Sequence, residues 1–154
     1  MSKKSPKIAK LIENCHREGL DPHYVGYFQC FNQELYYEAH DVLEELWLQE
    51  GKQGENYAYY KGLIQAAGAF VHMQKHDQFP QHKTHGRRLE PASRLLKLSL
   101  DNLAGYGDEY LEFDLKQFRK LCQHYLDQLL ERYCKVNPWT RGSGPKLSLV
   151  ERNA

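Results

Sequence analysis

Hydrophobic side chains recur at helical spacing along most of this chain, and no alternating strand pattern competes with them. The apolar stripes occupy about 8–15, 24–31, 35–50, 55–76, 91–103 and 114–133. Gly19 and the Asp21-Pro22 pair are typical of the end of one helix and the start of the next. The single β-like fragment, 146–150, is too short to build a sheet alone. The pattern therefore predicts an all-α fold, a compact bundle of about five or six helices.

Only a short break that holds Gly51 and Gly54 separates the two strongest stripes. Because short links join antiparallel neighbours, this arrangement predicts a central antiparallel helical hairpin over 35–76. The apolar faces of the hairpin place five large side chains in the core, namely Leu43, Trp47, Leu63, Ile64 and Phe70. After Asn137-Pro138 the chain becomes polar, so we expect one helical domain over 1–136 and a loosely ordered tail over 137–154.

Charge, hydropathy and cysteine usage narrow the classes of function. Lys and Arg number 21 and Asp and Glu number 20, a net charge of +1, which argues against a general nucleic-acid-binding protein. The mean hydropathy is −0.76, and no apolar run approaches the ~20 residues of a membrane helix, so we expect no membrane-spanning protein. The four cysteines form no C-x-x-C pair, so a thiolate zinc site has no local support. Residues 1–10 are basic but lack the apolar core of a signal peptide, so we expect a cytoplasmic location with free thiols. None of these properties excludes a homo-oligomer.

Polar side chains form one narrow stripe on each helix of the predicted hairpin. His40 and Glu44 lie one turn apart at the edge of an apolar face, and Lys61, Gln65 and His72 share one side of the second helix. Antiparallel pairing would bring the two stripes together, and the small residues around 62–69 would permit a close approach. The sequence therefore predicts a His/Glu/Gln/His cluster between two helices.

Imidazole and carboxylate groups are ligands for zinc and manganese, so this cluster is a candidate metal site. A divalent metal held by His40, Glu44 and His72 would lower the pKa of a bound water, with Glu38 or Glu45 as base. Asp41, with those two glutamates, falls on the opposite flank of the helix and is predicted to be a solvated acidic face. The structural alternative is a His40–Glu44 pair beside a polar helix edge, since structural ion networks resemble sites.

A histidine-rich stretch and a basic patch follow the second helix. The histidines are His72, His76, His82 and His85. They would suit a lid or a secondary metal site, but a solvated loop is the simpler interpretation. The basic residues are Lys83, His85, Arg87, Arg88, Arg94 and Lys97. RNA contact is one interpretation of this patch, but without interleaved aromatic residues the patch is a weak signal for it.

Two long blocks of sequence, FNQELYYEAHDVLEELW at 31–47 and YKGLIQAAGAFVH at 60–72, resemble a known family. They are similar to the prokaryotic domain of unknown function family 309, described as predicted metal-dependent hydrolases, over about 24–103. The resemblance implies functional roles for the matching polar positions, which are Glu38, His40, Glu44, Gln65 and His72, with Asp41 as the second acidic residue.

Two positions depart from the pattern of this family. Glu34 stands where the family has a turn glycine, so Asn32 or Gln33 is expected to take the special backbone geometry. Lys61 replaces a glutamine, which places a cation beside the predicted site, where Lys61 and Gln65 would contact either the metal-binding side chains or a bound ligand. The sequence names neither the small-molecule substrate of such a hydrolase nor a protein partner.

A non-catalytic helical binding scaffold is the alternative function. Leu35-Tyr36-Tyr37-Glu38-Ala39 also resembles part of a tetratricopeptide-type hairpin, although no repeat period recurs. In a scaffold the polar cluster would fix the register of two helices as a buried network, without turnover.

Overall fold

Six helices form within residues 4–81 and 87–151, the part of the chain that the computed structural model describes. They are α1 (Ser5–Leu11), α2 (Pro22–Asn32), α3 (Tyr36–Glu50), α4 (Tyr57–Gln78), α5 (Leu89–Leu103) and α6 (Leu115–Glu131). A two-stranded antiparallel ladder, β1 (Glu109–Tyr110) and β2 (Phe113–Asp114), precedes α6. The predicted all-α bundle is confirmed, and none of these helices has both the length and the apolar content to span a bilayer.

Side-chain caps explain where two of the helices begin. Pro22 opens α2, and the Asp21 carboxylate accepts a hydrogen bond from the His23 backbone N–H at 2.8 Å. In the same way the Asp114 carboxylate accepts from the Gln117 backbone N–H at 3.0 Å at the start of α6. The acid thus satisfies one of the amide groups that a helix N-terminus leaves without an internal partner.

The turn between α2 and α3 differs from expectation. The left-handed conformation falls on Glu34 itself, with φ of 61°, and not on Asn32 or Gln33. A side chain in this region costs roughly 1–2 kcal/mol, which other contacts must offset. The Glu34 carboxylate accepts hydrogen bonds from the backbone N–H groups of Gly142 and Gly144, both at 2.9 Å. Glu34, which stands where the family has a turn glycine, therefore holds the C-terminal segment through these two hydrogen bonds.

The helices α3 and α4 pack against each other across the short link 51–56, as the predicted hairpin requires. Leu43, Leu63 and Phe70 are fully buried there and Ile64 is nearly so, as predicted. Trp47 is only half-buried, because it lies at the end of the hairpin. Its ring stacks on Tyr57 with centroids 5.0 Å apart.

The glycines of α4 pack against α5, and not against α3. A Cβ on Gly62 would lie 2.7 Å from the Leu103 Cγ, and a Cβ on Gly68 would lie 3.2 Å from the Leu95 Cδ1. The Ser99 hydroxyl also donates to the Gly62 carbonyl at 2.7 Å across this contact. The face of small residues therefore serves the α4–α5 contact, which corrects the predicted hairpin geometry.

Two side chains of the segment 137–151, for which the sequence predicts a loosely ordered tail, pack against the bundle. Trp139 and Leu147 are buried, and the Trp139 indole N–H donates to the Tyr36 hydroxyl at 2.9 Å. Asn32 exchanges two hydrogen bonds with the Leu147 backbone, at 2.6 and 2.7 Å. The polar composition of this segment gives no sign that Trp139 and Leu147 are buried, because their partners lie far away in the sequence.

Candidate functional site

His40, Asp41 and Glu44 bring potential ligand atoms within 4.8 Å of one another on α3. The His40 Nδ1 lies 3.1 Å from the Asp41 Oδ1, and the His40 Nε2 lies 3.9 Å from the Glu44 Oε2. Because a carboxylate only accepts, Nδ1 carries the proton in this bond. The Asp41 side chain is 10% exposed, while His40 and Glu44 are 28% and 34% exposed. We call these three residues the α3 cluster.

The start of α1 covers this side of α3. The Lys4 ammonium donates to the Asp41 Oδ1 at 3.2 Å and also lies 5.6 Å from the centroid of the Tyr37 ring. The Asp41 hydrogen bond raises the pKa of Lys4. A cleft of about 480 Å³ opens beside the contact, and Ile8, Asp41 and Glu44 are among its lining residues.

The predicted residues of α4 do not join the α3 cluster. The Gln65 side-chain oxygen accepts from the Asn102 amide at 2.7 Å, and the His72 Nδ1 lies 3.2 Å from the Arg88 guanidinium. The Lys61 ammonium lies 5.9 Å from the Tyr57 ring centroid. Because the polar stripe of α4 follows its glycine face toward α5, the predicted convergence of His40, Glu44, Gln65 and His72 is not observed.

The surroundings of His72 do not suit a metal ligand. Burial lowers its pKa to about 4, with further contributions from the charges of Arg88 and Arg94. Since a guanidinium can only donate, Nδ1 accepts the hydrogen bond and the neutral ring carries its proton on Nε2. A divalent cation would meet two positive charges at this position.

The two carboxylates considered as bases also lie outside the α3 cluster. Glu38 is close enough to Cys30 to help raise the pKa of that thiol to about 11, after burial and Cys15. The Glu45 Oε1 lies 3.7 Å from the His23 Nε2, which directs this carboxylate toward α2. His82, Lys83 and His85 of the histidine-rich and basic stretches lie outside the described residues.

Comparison of families gives one match. Residues 24–79 match the family described as Domain of unknown function (DUF309). The DUF309 segment spans α2, α3 and α4, and therefore includes the α3 cluster. Comparison with curated proteins and with solved structures gave no match. The family resemblance is thus supported for this segment, which is less than half of the chain.

The donor chemistry of the α3 cluster suits zinc or manganese, but its geometry fits a catalytic metal poorly. The Asp41 Oδ1 already accepts from an ammonium and an imidazole, so it is placed to orient His40. That leaves the His40 Nε2 and the Glu44 carboxylate as ligands, whereas a catalytic zinc has three protein ligands and an open position. What the arrangement does without a metal is to join α1 to α3.

Sequence reasoning missed the central member of the cluster. Asp41 was predicted to be solvated, yet it is buried, because α1 packs over the flank of α3 that the periodicity marks as polar. The family pattern did mark position 41 as acidic. No local signal pairs Asp41 with Lys4, because the two residues are separated by 37 positions.

Proposed function

We propose that this chain is a non-catalytic helical binding scaffold in which the α3 cluster is a structural polar network. One observation carries the proposal. The nearly buried Asp41 Oδ1 accepts from both the Lys4 ammonium and the His40 imidazole. A buried carboxylate with two such donors is satisfied without a metal.

The energy of this network favours a role in holding α1 against α3. A hydrogen bond to a charged group contributes about 1.5–3 kcal/mol when it is shielded from water. Lys4 is 46% exposed, so solvent screening brings its ion pair with Asp41 to about 1 kcal/mol or less. The His40 bond is better shielded, and the network as a whole is worth more than either contact.

A metal-dependent hydrolase is the second candidate, and a separate observation favours it. Three potential ligand atoms lie within 4.8 Å at the edge of a cleft. In that case His40 and Glu44 would hold zinc or manganese, and Asp41 would fix the imidazole orientation. The metal would supply activated water for hydrolysis. His72, which pairs with Arg88, would take no part in this site.

Titration of metal-free protein with Zn²⁺ and Mn²⁺, followed by calorimetry and by thermal unfolding, separates the two functions. For the scaffold we expect no saturable metal binding, and no rise in Tm, that depends on His40 and Glu44. Asp41→Asn should lower the free energy of unfolding by about 1–3 kcal/mol, because it weakens both hydrogen bonds. Glu38→Gln is the matched control, an acidic residue of α3 outside the cluster, and should change stability by less than about 0.5 kcal/mol.

The opposite result has a distinct signature. Tight binding of about one Zn²⁺ per chain that His40→Gln and Glu44→Gln both abolish would contradict the structural network and support the metal site. Binding that survives both variants would place the metal elsewhere and leave the scaffold proposal intact, provided that Asp41→Asn is destabilising.

A further inference from the structure

A groove of about 510 Å³ lies between β2, α6 and the segment 145–148. Its floor is apolar, with Phe113, Phe118 and Leu147 almost fully buried and Leu121 half-buried. This volume lies within the range of about 300–1,000 Å³ that is typical of small-molecule sites. The residues of the groove lie in the C-terminal half of the sequence, and none of them belongs to the α3 cluster.

One wall of the groove, the segment that carries Leu147 and Leu149, is held in place by contacts with α2 and with β2. The segment that carries Leu147 is fixed by the two hydrogen bonds of Asn32, at 2.6 and 2.7 Å. Leu149 continues it as a bridge partner of Phe113. A preformed site loses less entropy when a ligand binds than a site that must first order its walls.

The rim of the groove is cationic. Lys120 of α6 and Lys146 both line it. The Lys146 ammonium donates to the Asn32 carbonyl, and its charge also helps to lower the pKa of the Glu34 carboxyl, so Lys120 is the main cation offered to a ligand. The single acid of the lining, Asp114, is engaged as the N-cap of α6, where the helix dipole offsets its charge. A ligand that fills this groove therefore meets an apolar floor and a positive edge.

We propose that the groove binds a small molecule with an apolar body and a carboxylate group. The apolar body would lie along Leu121 and the exposed edges of Phe113 and Phe118, and the carboxylate would face Lys120. This proposal rests on the scaffold function proposed above, because it names the class of ligand that such a scaffold would bind. The two remain separable, because the groove and the α3 cluster have different residues.

Calorimetric titration with octanoate and with octanol, in the presence of EDTA, tests the groove independently of any metal. We expect saturable octanoate binding at millimolar concentrations and weaker binding of octanol. Lys120→Gln should weaken octanoate about three- to fivefold, as for an exposed ion pair, and leave octanol unchanged. Lys116→Gln, an exposed lysine of α6 outside the groove, is the matched control and should change neither affinity.

Filling the groove gives a second test that does not depend on charge. Leu121→Trp should abolish binding of both ligands while the far-ultraviolet circular dichroism stays unchanged. Equal affinity for octanoate and octanol, unaffected by Lys120→Gln, would overturn the proposal. So would a self-associated protein that Leu121→Trp converts to monomer, because the groove would then be covered by a second copy. Neither result would alter the outcome of the metal titration.

Discussion

Substitution of Gly62 by alanine tests whether the α4–α5 contact sets the geometry of the bundle. The new methyl group would lie 2.7 and 2.8 Å from the Leu103 Cγ and Cδ2, and 3.2 Å from the Ser99 carbonyl oxygen. Leu103 is fully buried, and the Ser99 oxygen belongs to the backbone, so neither neighbour moves easily. The helices must separate or shift to admit the methyl group.

The expected destabilisation follows from three opposing contributions. Overpacking of a filled core costs about 1–3 kcal/mol. Separation of the helices also strains the 2.7 Å hydrogen bond between the Ser99 hydroxyl and the Gly62 carbonyl, worth about 1 kcal/mol. Alanine returns about 1 kcal/mol through its higher helix propensity. We therefore expect Gly62→Ala to lower the free energy of unfolding by about 1–3 kcal/mol.

Gly68→Ala in the same helix is the matched control. Its methyl group would meet only the Leu95 Cδ1 at 3.2 Å, the tip of a half-buried side chain that can turn away. This variant should be neutral or more stable by up to about 1 kcal/mol. Urea unfolding of both variants, followed by circular dichroism, measures the difference. If Gly62→Ala matched or exceeded the stability of Gly68→Ala, the close approach of α5 at this position would be refuted.

Three further predictions concern His72, Phe70 and Trp139. Because burial, Arg88 and Arg94 lower the pKa of His72 from 6.5 to about 4, the unfolded chain binds more protons than the folded protein between these values. Stability should therefore fall as the pH drops from 6.5 to about 4, and His72→Gln should reduce that loss by about 1–2 kcal/mol in urea titrations at several pH values. An identical pH profile for the variant would contradict the shift. Phe70→Ala should cost about 3–5 kcal/mol, and a loss below about 0.5 kcal/mol would show that α4 is misplaced. Trp139→Ala should cost about 3–5 kcal/mol as well, whereas a loose C-terminal segment would make it neutral in the same assay.

The helices could be predicted because the signals that define them are local. The apolar spacing of α3 and α4 and the Asp21-Pro22 start of α2 need only neighbouring residues. The C-terminal segment could not be predicted in this way. Its order depends on Trp139 and Leu147 meeting Tyr36 and Asn32, and no periodic pattern marks those pairs.

The candidate site was predicted in part for the same reason. His40 and Glu44 are one helical turn apart and therefore lie together whatever the tertiary structure. In the structure the His40 Nε2 lies 3.9 Å from the Glu44 Oε2. The choice of partner for each helix is a tertiary property. The glycines of α4 fit α5, and this choice takes Gln65 and His72 away from α3. Asp41 could not be predicted as a member of the cluster, because its partner Lys4 lies in a distant part of the chain, at the start of α1.

The packing of Trp139 against Tyr36 has a consequence for the order of events during synthesis. The two side chains are 103 positions apart, so the DUF309 segment leaves the ribosome long before its partner does. Until Trp139 and Leu147 follow, the apolar surface around Tyr36 stays uncovered and the Glu34 carboxylate lacks its two amide donors. We therefore expect the nascent chain to expose this apolar surface until a late stage of translation.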